Sequence, residues 1–328
     1  MISTRVYYST TKPHGASQDM IYLNTIFKSM LPNSEMIKDF SYKSSDLAVI
    51  HAHVNRRIQN MSPEQILKTI KNREKGDFVC FRRYLIEQQK LNGGHVLFSD
   101  SNFFKYKEGR SRGNDFYLRY SLNGVDPTLG YYFDGDVDPS RWEQISKDFG
   151  ITLKPWRQNG NEIVILMQRH NGWSMNGQSA IEWCINTIAK IRSHTNRKIV
   201  IRKHPGDKVK EFLNDFRQLP NCNSNVHISV NRDILQDLST AWCTITYNSS
   251  PGIISSIEGI PTFVTDPDPR RSHAFEVSNT DLSRIESPLM IDRQKWIERV
   301  SMSHYNVSDI KRGILKKNIE RHIKKNGK

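Results

Sequence analysis

The chain has 328 residues, 37% hydrophobic and 25% charged, the balance of a globular protein with room for two domains of ordinary size. No apolar run approaches the roughly 18 residues that cross a bilayer, and the opening "MISTRVYYSTTKP" lacks the apolar core of a signal peptide. A formal charge of +14 favours polyanionic partners, and four scattered cysteines (Cys80, Cys184, Cys222, Cys243) fit a reduced cytoplasmic protein rather than a disulfide framework.

In chain order, "TRVYYST" (Thr4–Thr10) has strand composition, and "QDMIYLNTIFKSML" carries Ile21, Ile26, Phe27 and Met30 at helical spacing. "DLAVIHA" is expected as a strand and "SPEQILKTIKN" as a helix. In that helix Ser62 is the N-cap, Pro63 the first-turn proline and Gln65 the capping-box partner. "DFVCF" and "HVLFSD" are expected as two further strands. From Arg110 to Asn161 the pattern weakens into turn-rich stretches, ending in "GITLKPWRQNGN", which reads as an interdomain crossing.

The second half is cleaner. "EIVILMQ", "KIVIRKH", "NVHIS", "AWCTITYN" and "PTFVT" are strands. They alternate with helices in "GQSAIEWCINTIAKIRS", "DKVKEFLNDFRQL", "RDILQDLST" and "GIISSIEG". Short apolar strands alternating with amphipathic helices predict an α/β fold with parallel sheets and right-handed crossovers. The expected division is residues 1–155, 156–300 and a basic C-terminal helix or tail at 301–328, "KRGILKKNIERHIKKNGK" included.

Ligands of doubly wound sheets bind beyond the carboxyl ends of the strands. Two stretches fall there: "RKHPGD" with Arg202, Lys203 and His204, and "YNSSPG" with Asn248, Ser249 and Ser250. Two cations, a histidine and serine hydroxyls at a helix start make an anion site, and a diphosphate suits it better than a lone carboxylate. Gln168, Arg169 and Trp173 in "QRHNGWSMNG" follow the first strand of the second domain and are candidates to touch the same ligand, with Gly172 and Gly177 permitting close backbone approach. The alternative for that loop is a surface turn with one buried Trp.

In the first half, Asp100 stands just after "HVLFS" as a candidate general base, with Asp115 and His51 as rivals. Its other reading is an N-cap. "FDGDVD" (Phe133–Asp138) reads either as a divalent-metal site or as a turn, and the turn is favoured. "HAH" (His51–His53) offers two ligands on one strand face without a third nearby. Basic residues Arg56, Arg57, Arg82, Arg83, Lys105, Lys107, Arg110 and Arg112 are interleaved with Phe103, Phe104, Tyr106, Phe116 and Tyr117. Cations hold phosphates, and Phe103, Phe104 or Tyr106 are candidates to wedge a flipped base.

"RKHP" followed by "YNSSPG" and "GIP" resembles the HP and serine-serine motifs of a group of GT-B glycosyltransferases that includes bacterial sialyltransferases and capsule Kdo transferases. The resemblance implies two Rossmann-like domains facing a cleft, with the C-terminal helix a candidate to cross back to the first domain. It also implies that His204, Ser249 and Ser250 hold the phosphate of a nucleotide-sugar co-substrate, UDP-linked by expectation, with no cofactor and no metal. Relatives carry an acid in the helix after the serines to hold ribose. Here Ile254 stands at that position and Glu258 a turn later.

The stretch from "YYFDGDVDPSRW" to "RKHPGD" is similar to glycosyltransferases of bacteria and tailed phages, over about residues 95–265. Some phage members glycosylate hydroxymethylcytosine in DNA, arabinosyltransferases among them. The resemblance thus implies transfer of a pentose or hexose to 5-hydroxymethylcytosine in double-stranded DNA, in the cytoplasm and without stable membrane association. The alternative is transfer to a capsular or cell-wall glycan.

Overall fold

The computed structural model describes residues 2–7, 34–37, 41–51, 61–72, 77–104, 106, 117–133, 135–169, 173–205, 225–229 and 233–326. The chain divides into two compact units, Met1–Phe149 with Glu298–Lys328, and Gly150–Ile297.

The first unit holds β1 (Thr4–Tyr7), β2 (Ser34–Ile37), β3 (Leu47–His51), helices α1 (Pro63–Asn72) and α2 (Asp77–Leu91), β4 (His95–Asp100), β5 (Leu118–Leu122) and α3 (Pro139–Phe149). Its six-stranded sheet runs β11–β5–β4–β3–β1–β2, where β11 is His304–Tyr305. β1 to β4 are parallel, while β5 is antiparallel to both β4 and β11. Side chains alternate across the sheet. Leu47, Val49 and Leu97 share one face with Leu118, Tyr120 and Leu122. That face packs on Val307 and Ile310 of α8 (Val307–Lys311) and Leu315 and Ile319 of α9 (Ile314–Asn326). The basic C-terminal segment is therefore core material of this unit: its apolar stripe turns inward and its lysines outward.

The capping box forms as expected, with Ser62 N–H donating to Gln65 Oε1 at 2.8 Å and Gln65 N–H to Ser62 Oγ at 3.2 Å. "DFVCF", expected as a strand, is instead the start of α2. The apolar spacing continues past it: Phe81, Leu85 and Gln89 are buried at intervals of four, a helical period that outweighs the strand composition of five residues. β5 and α3 arise inside the turn-rich stretch where no regular pattern was expected. In α3, Trp142, Ile145 and Phe149 form its buried stripe. The expected helix at Gln18–Leu31 and the one at Asp207–Leu219 lie outside the described residues.

The second unit holds β6 (Glu162–Leu166), α4 (Ala180–Arg192), β7 (Lys198–Arg202), β8 (Val226–Ile228), α5 (Ile234–Leu238), β9 (Ala241–Thr246), α6 (Pro251–Ile257) and β10 (Thr262–Val264). The strands pair in the order β10–β9–β6–β7–β8, all parallel. β6, β7, β9 and β10 are buried on both faces, as a sheet covered on both sides requires, while the edge strand β8 exposes His227. Ile163, Ile165, Ile199, Ile201 and Ile245 face Trp183, Cys184 and Ile188 of α4, while Val164, Leu166 and Val200 face Leu238 and Ile254. α7 (Gln294–Ser301) follows a series of short 3₁₀ turns. Among the described residues no helix is long and apolar enough to cross a membrane.

Candidate functional site

β6 is the central strand from which the order reverses, with β7 and β8 on one side and β9 and β10 on the other. At such a switch point the loops leaving neighbouring strands part in opposite directions and open a crevice at the carboxyl ends. Gln168 leaves β6 there, Lys203 and His204 leave β7, and Asn248, Ser249 and Ser250 leave β9.

The structure brings Gln168 and Asn248 into direct contact. Gln168 Nε2 donates to Asn248 Oδ1 at 2.6 Å and to Ser174 Oγ at 2.9 Å. Asn248 Nδ2 in turn donates to Asp266 Oδ2 at 2.6 Å and to the Ser174 carbonyl at 3.1 Å. Behind them Arg271 Nη1 lies 3.1 Å from Asp266 Oδ2, both side chains buried. Burial pushes the Asp266 carboxyl above its ordinary range, opposed by the Asp268 N–H, the Asn248 amide and Arg271. Asp266 leaves β10 by the same rule that singled out the other loops, and "TDPDPRR" is the signal that sequence reasoning passed over.

Ser249 is tied to the end of β9, its hydroxyl 2.7 Å from Thr246 Oγ1 and its N–H donating to the same oxygen at 3.1 Å. Ser250 is the N-cap of α6, and its side chain makes no capping bond. Gly252 lets that helix press on the sheet: a Cβ there would lie 3.2 Å from Thr246 Cγ2 and 3.3 Å from Thr262 Cγ2. Lys203 and His204 are half-buried and Arg169 is exposed. Trp173 opens a 3₁₀ turn (Trp173–Met175).

Two candidates are engaged elsewhere. Arg202 Nη1 is 2.5 Å from Asp237 Oδ2 of α5, and that pair is buried. Glu258 caps the far end of α6, away from the serines, where its carboxylate is buried against Lys154 Nζ.

In the first unit, Asp100 ends β4 and pairs with Arg119 Nη2 at 2.7 Å, its other oxygen accepting the Ser101 N–H at 2.7 Å. The Arg119 guanidinium also lies over the rings of Phe103 and Tyr132. His51 ends β3, with Nδ1 3.2 Å from Ser99 Oγ. Burial lowers its pKa, Asp100 pulls it back and Arg82 lowers it again. Asp115 lies outside the described residues.

The expected nucleic-acid face is altered where it is described. Phe103 and Phe104 are 5% and 0% exposed and pack on His304, so neither can wedge a base. Their alternation with turn residues disguised them as surface aromatics. Arg82 Nη1 donates to the His51 carbonyl at 2.7 Å, and burial lowers its pKa to about 10. Arg83 is spent on Glu87 and the Met61 carbonyl. Arg56, Arg57, Lys105, Lys107, Arg110 and Arg112 lie outside the described residues. Among the described residues no group of three or more His, Cys, Asp or Glu could hold a metal ion.

Two α/β units with Rossmann-like sheets, the first mostly and the second wholly parallel, the second with polar residues gathered at its switch point, define the GT-B fold. No family model matches the chain, and no curated protein sequence matches it. Among solved structures it is similar to the β-Kdo 2,4 transferase of Thermosulfurimonas dismutans KpsC at 10% identity and a TM-score of 0.51, covering 94% of this chain and 97% of that one. It is also similar to the β-Kdo 2,7 transferase of the same organism's KpsC, at 14% identity and a TM-score of 0.44, covering 96% and 99%. A third similarity is to the UDP-GlcNAc 2-epimerase of Methanocaldococcus jannaschii, at 12% identity and a TM-score of 0.34, covering 91% and 98%. At these identities the likeness speaks for the fold.

Proposed function

We propose that this protein is a nucleotide-sugar-dependent glycosyltransferase whose donor diphosphate is held at the switch point of the second unit. One observation carries the reading. Gln168, Lys203, His204, Ser249 and Ser250 leave three adjacent parallel strands at their carboxyl ends, and Gln168 is locked there through Asn248. His204 and Lys203 supply positive charge and N–H donors to the departing diphosphate, and the serines add hydroxyl donors. Groups of this kind stabilise charge as it develops on a leaving group. The acceptor hydroxyl loses its proton to a base of the first unit, for which Asp100 and His51 are the candidates. The donor is UDP-linked in this reading, and no metal is required because cations and hydroxyls already face the phosphates.

For the acceptor, 5-hydroxymethylcytosine in double-stranded DNA is supported by the phage-enzyme resemblance and the charge of +14. A capsular-type glycan is the second reading. It is favoured by the fold likeness to a Kdo transferase and by the inward engagement of Arg82 and Arg83. Incubation with a nucleotide-sugar panel and, in separate arms, hydroxymethylated duplex and a capsule fragment, read by mass spectrometry of the nucleosides and of the glycan, separates the two readings from each other and from no activity. His204→Ala lowers the transfer rate about a hundredfold, and exhaustive chelation leaves the wild-type rate in place. A wild-type rate in His204→Ala removes His204 from the site.

A further inference from the structure

The relay behind Gln168 has a direction set by chemistry. The Ser174 carbonyl accepts only, and so does an ionised Asp266 carboxylate, so the group of Asn248 facing both must be its amide nitrogen. Asn248 therefore turns its oxygen to Gln168, and the group of Gln168 facing it must be Nε2. The two hydrogens of Nε2 are then used, one by Asn248 and one by Ser174 Oγ. Asn248 has likewise given both of its amide hydrogens, to Ser174 and Asp266. Gln168 Oε1 takes no part in these bonds, and Gln168 as a whole is 6% exposed. Ser174 Oγ, having accepted from Gln168, still has its own hydrogen to give.

A diphosphate offers only acceptors on its oxygens at neutral pH, so it has nothing to donate to a carbonyl oxygen. We propose that Gln168 is a specificity-determining residue: its Oε1 accepts a hydrogen bond from a hydroxyl of the donor's sugar or ribose, beside Ser174 Oγ as the matching donor. Asn248, Asp266 and Arg271 act as positioning residues that forbid the amide to flip. This rests on the donor-site reading above. It takes Asn248 off the phosphate and gives Gln168 a different ligand atom from the one His204 and the serines hold.

Two measurements test it. The first needs no ligand. Asn248→Asp sets two carboxylates against each other at the 2.6 Å contact and lowers the unfolding temperature. Adding Asp266→Asn restores a donor–acceptor pair, so the double variant is more stable than Asn248→Asp alone. A double variant that loses the sum of the two single losses overturns the relay. The second uses the nucleotide sugar that the wild type turns over, with inorganic pyrophosphate as competing inhibitor. Gln168→Met raises the KM for the donor about five- to tenfold and leaves the pyrophosphate Ki within about twofold. Equal weakening of both places Gln168 on phosphate and overturns the proposal. An enzyme that turns over no nucleotide sugar removes the function proposed above and the hydroxyl contact with it, while the unfolding data still decide the relay by themselves.

Discussion

Removing the Asp237 carboxylate should unfold the second unit far more readily than the size of the change suggests. Arg202 is the last residue of β7 with 10% of its side chain exposed, and Asp237 on α5 has 2%. Asp237 Oδ2 lies 2.5 Å from Arg202 Nη1, and its Oδ1 accepts from Ser229 Oγ at 2.6 Å. One carboxylate thus joins the end of β7, the residue after β8 and the helix before β9. Asp237→Ala removes the carboxylate that pairs with this buried guanidinium, which costs about 3–5 kcal/mol. For a domain of roughly this size that is a fall of about 10 °C in unfolding temperature. Trp183 and Trp242 are buried in the same core and report the transition by fluorescence. The companion Arg202→Met with Asp237→Leu removes both charges together and should stay within about 1–2 kcal/mol of wild type. A loss below about 1 kcal/mol in Asp237→Ala, or a double variant as unstable as the single one, would falsify the reasoning.

Gly259 has φ +78°, and a Cβ there would stand 2.1 Å from the Pro155 carbonyl oxygen, whereas Gly93 has φ +70° with open space around it. Gly259→Ala should therefore lose at least about 1 kcal/mol more than Gly93→Ala, read from urea midpoints, and equal losses would exclude the clash. His304 is fully buried, its Nδ1 3.1 Å from the Val300 carbonyl and its Nε2 accepting the Phe103 N–H at 3.3 Å. Burial holds its pKa well below the ordinary value, and Arg119 pushes the same way. The unfolded chain takes up that proton near pH 6.5 and the folded one does not. Stability from this group is thus complete above about pH 6.5 and is lost as pH falls toward the depressed folded value. His304→Gln should flatten the fall in urea midpoint between about pH 7 and pH 5, and an unchanged slope would count against it.

The unevenness between the two halves has a physical source. Parallel strands buried on both faces, such as "EIVIL" and "KIVIR", must be apolar throughout, so they stand out locally and carry their loop motifs with them. That is why "RKHP" and "NSSP" could be assigned to strand ends before any coordinates. In the first half, "LRYSL" puts Arg119 and Ser121 inside a fully buried strand, where ion pairing with Asp100 and stacking on Phe103 offset the burial of the guanidinium. That pattern has no local signature.

The local chemistry of the chain determined the alternation of strands and helices, the Ser62 capping box and the loops that carry Gln168, His204 and Ser249. Tertiary structure alone decided which polar groups meet. Asn248 and Asp266 are eighteen residues apart and Arg202 and Asp237 thirty-five, and only the folded sheet and the helix packed on it bring such pairs within hydrogen-bond reach. It likewise turned "KRGILKKNIERHIKK" from a basic tail into a wall of the first core. Whether an amphipathic stripe is covered depends on a partner surface far away in the chain, and no window of sequence contains that surface.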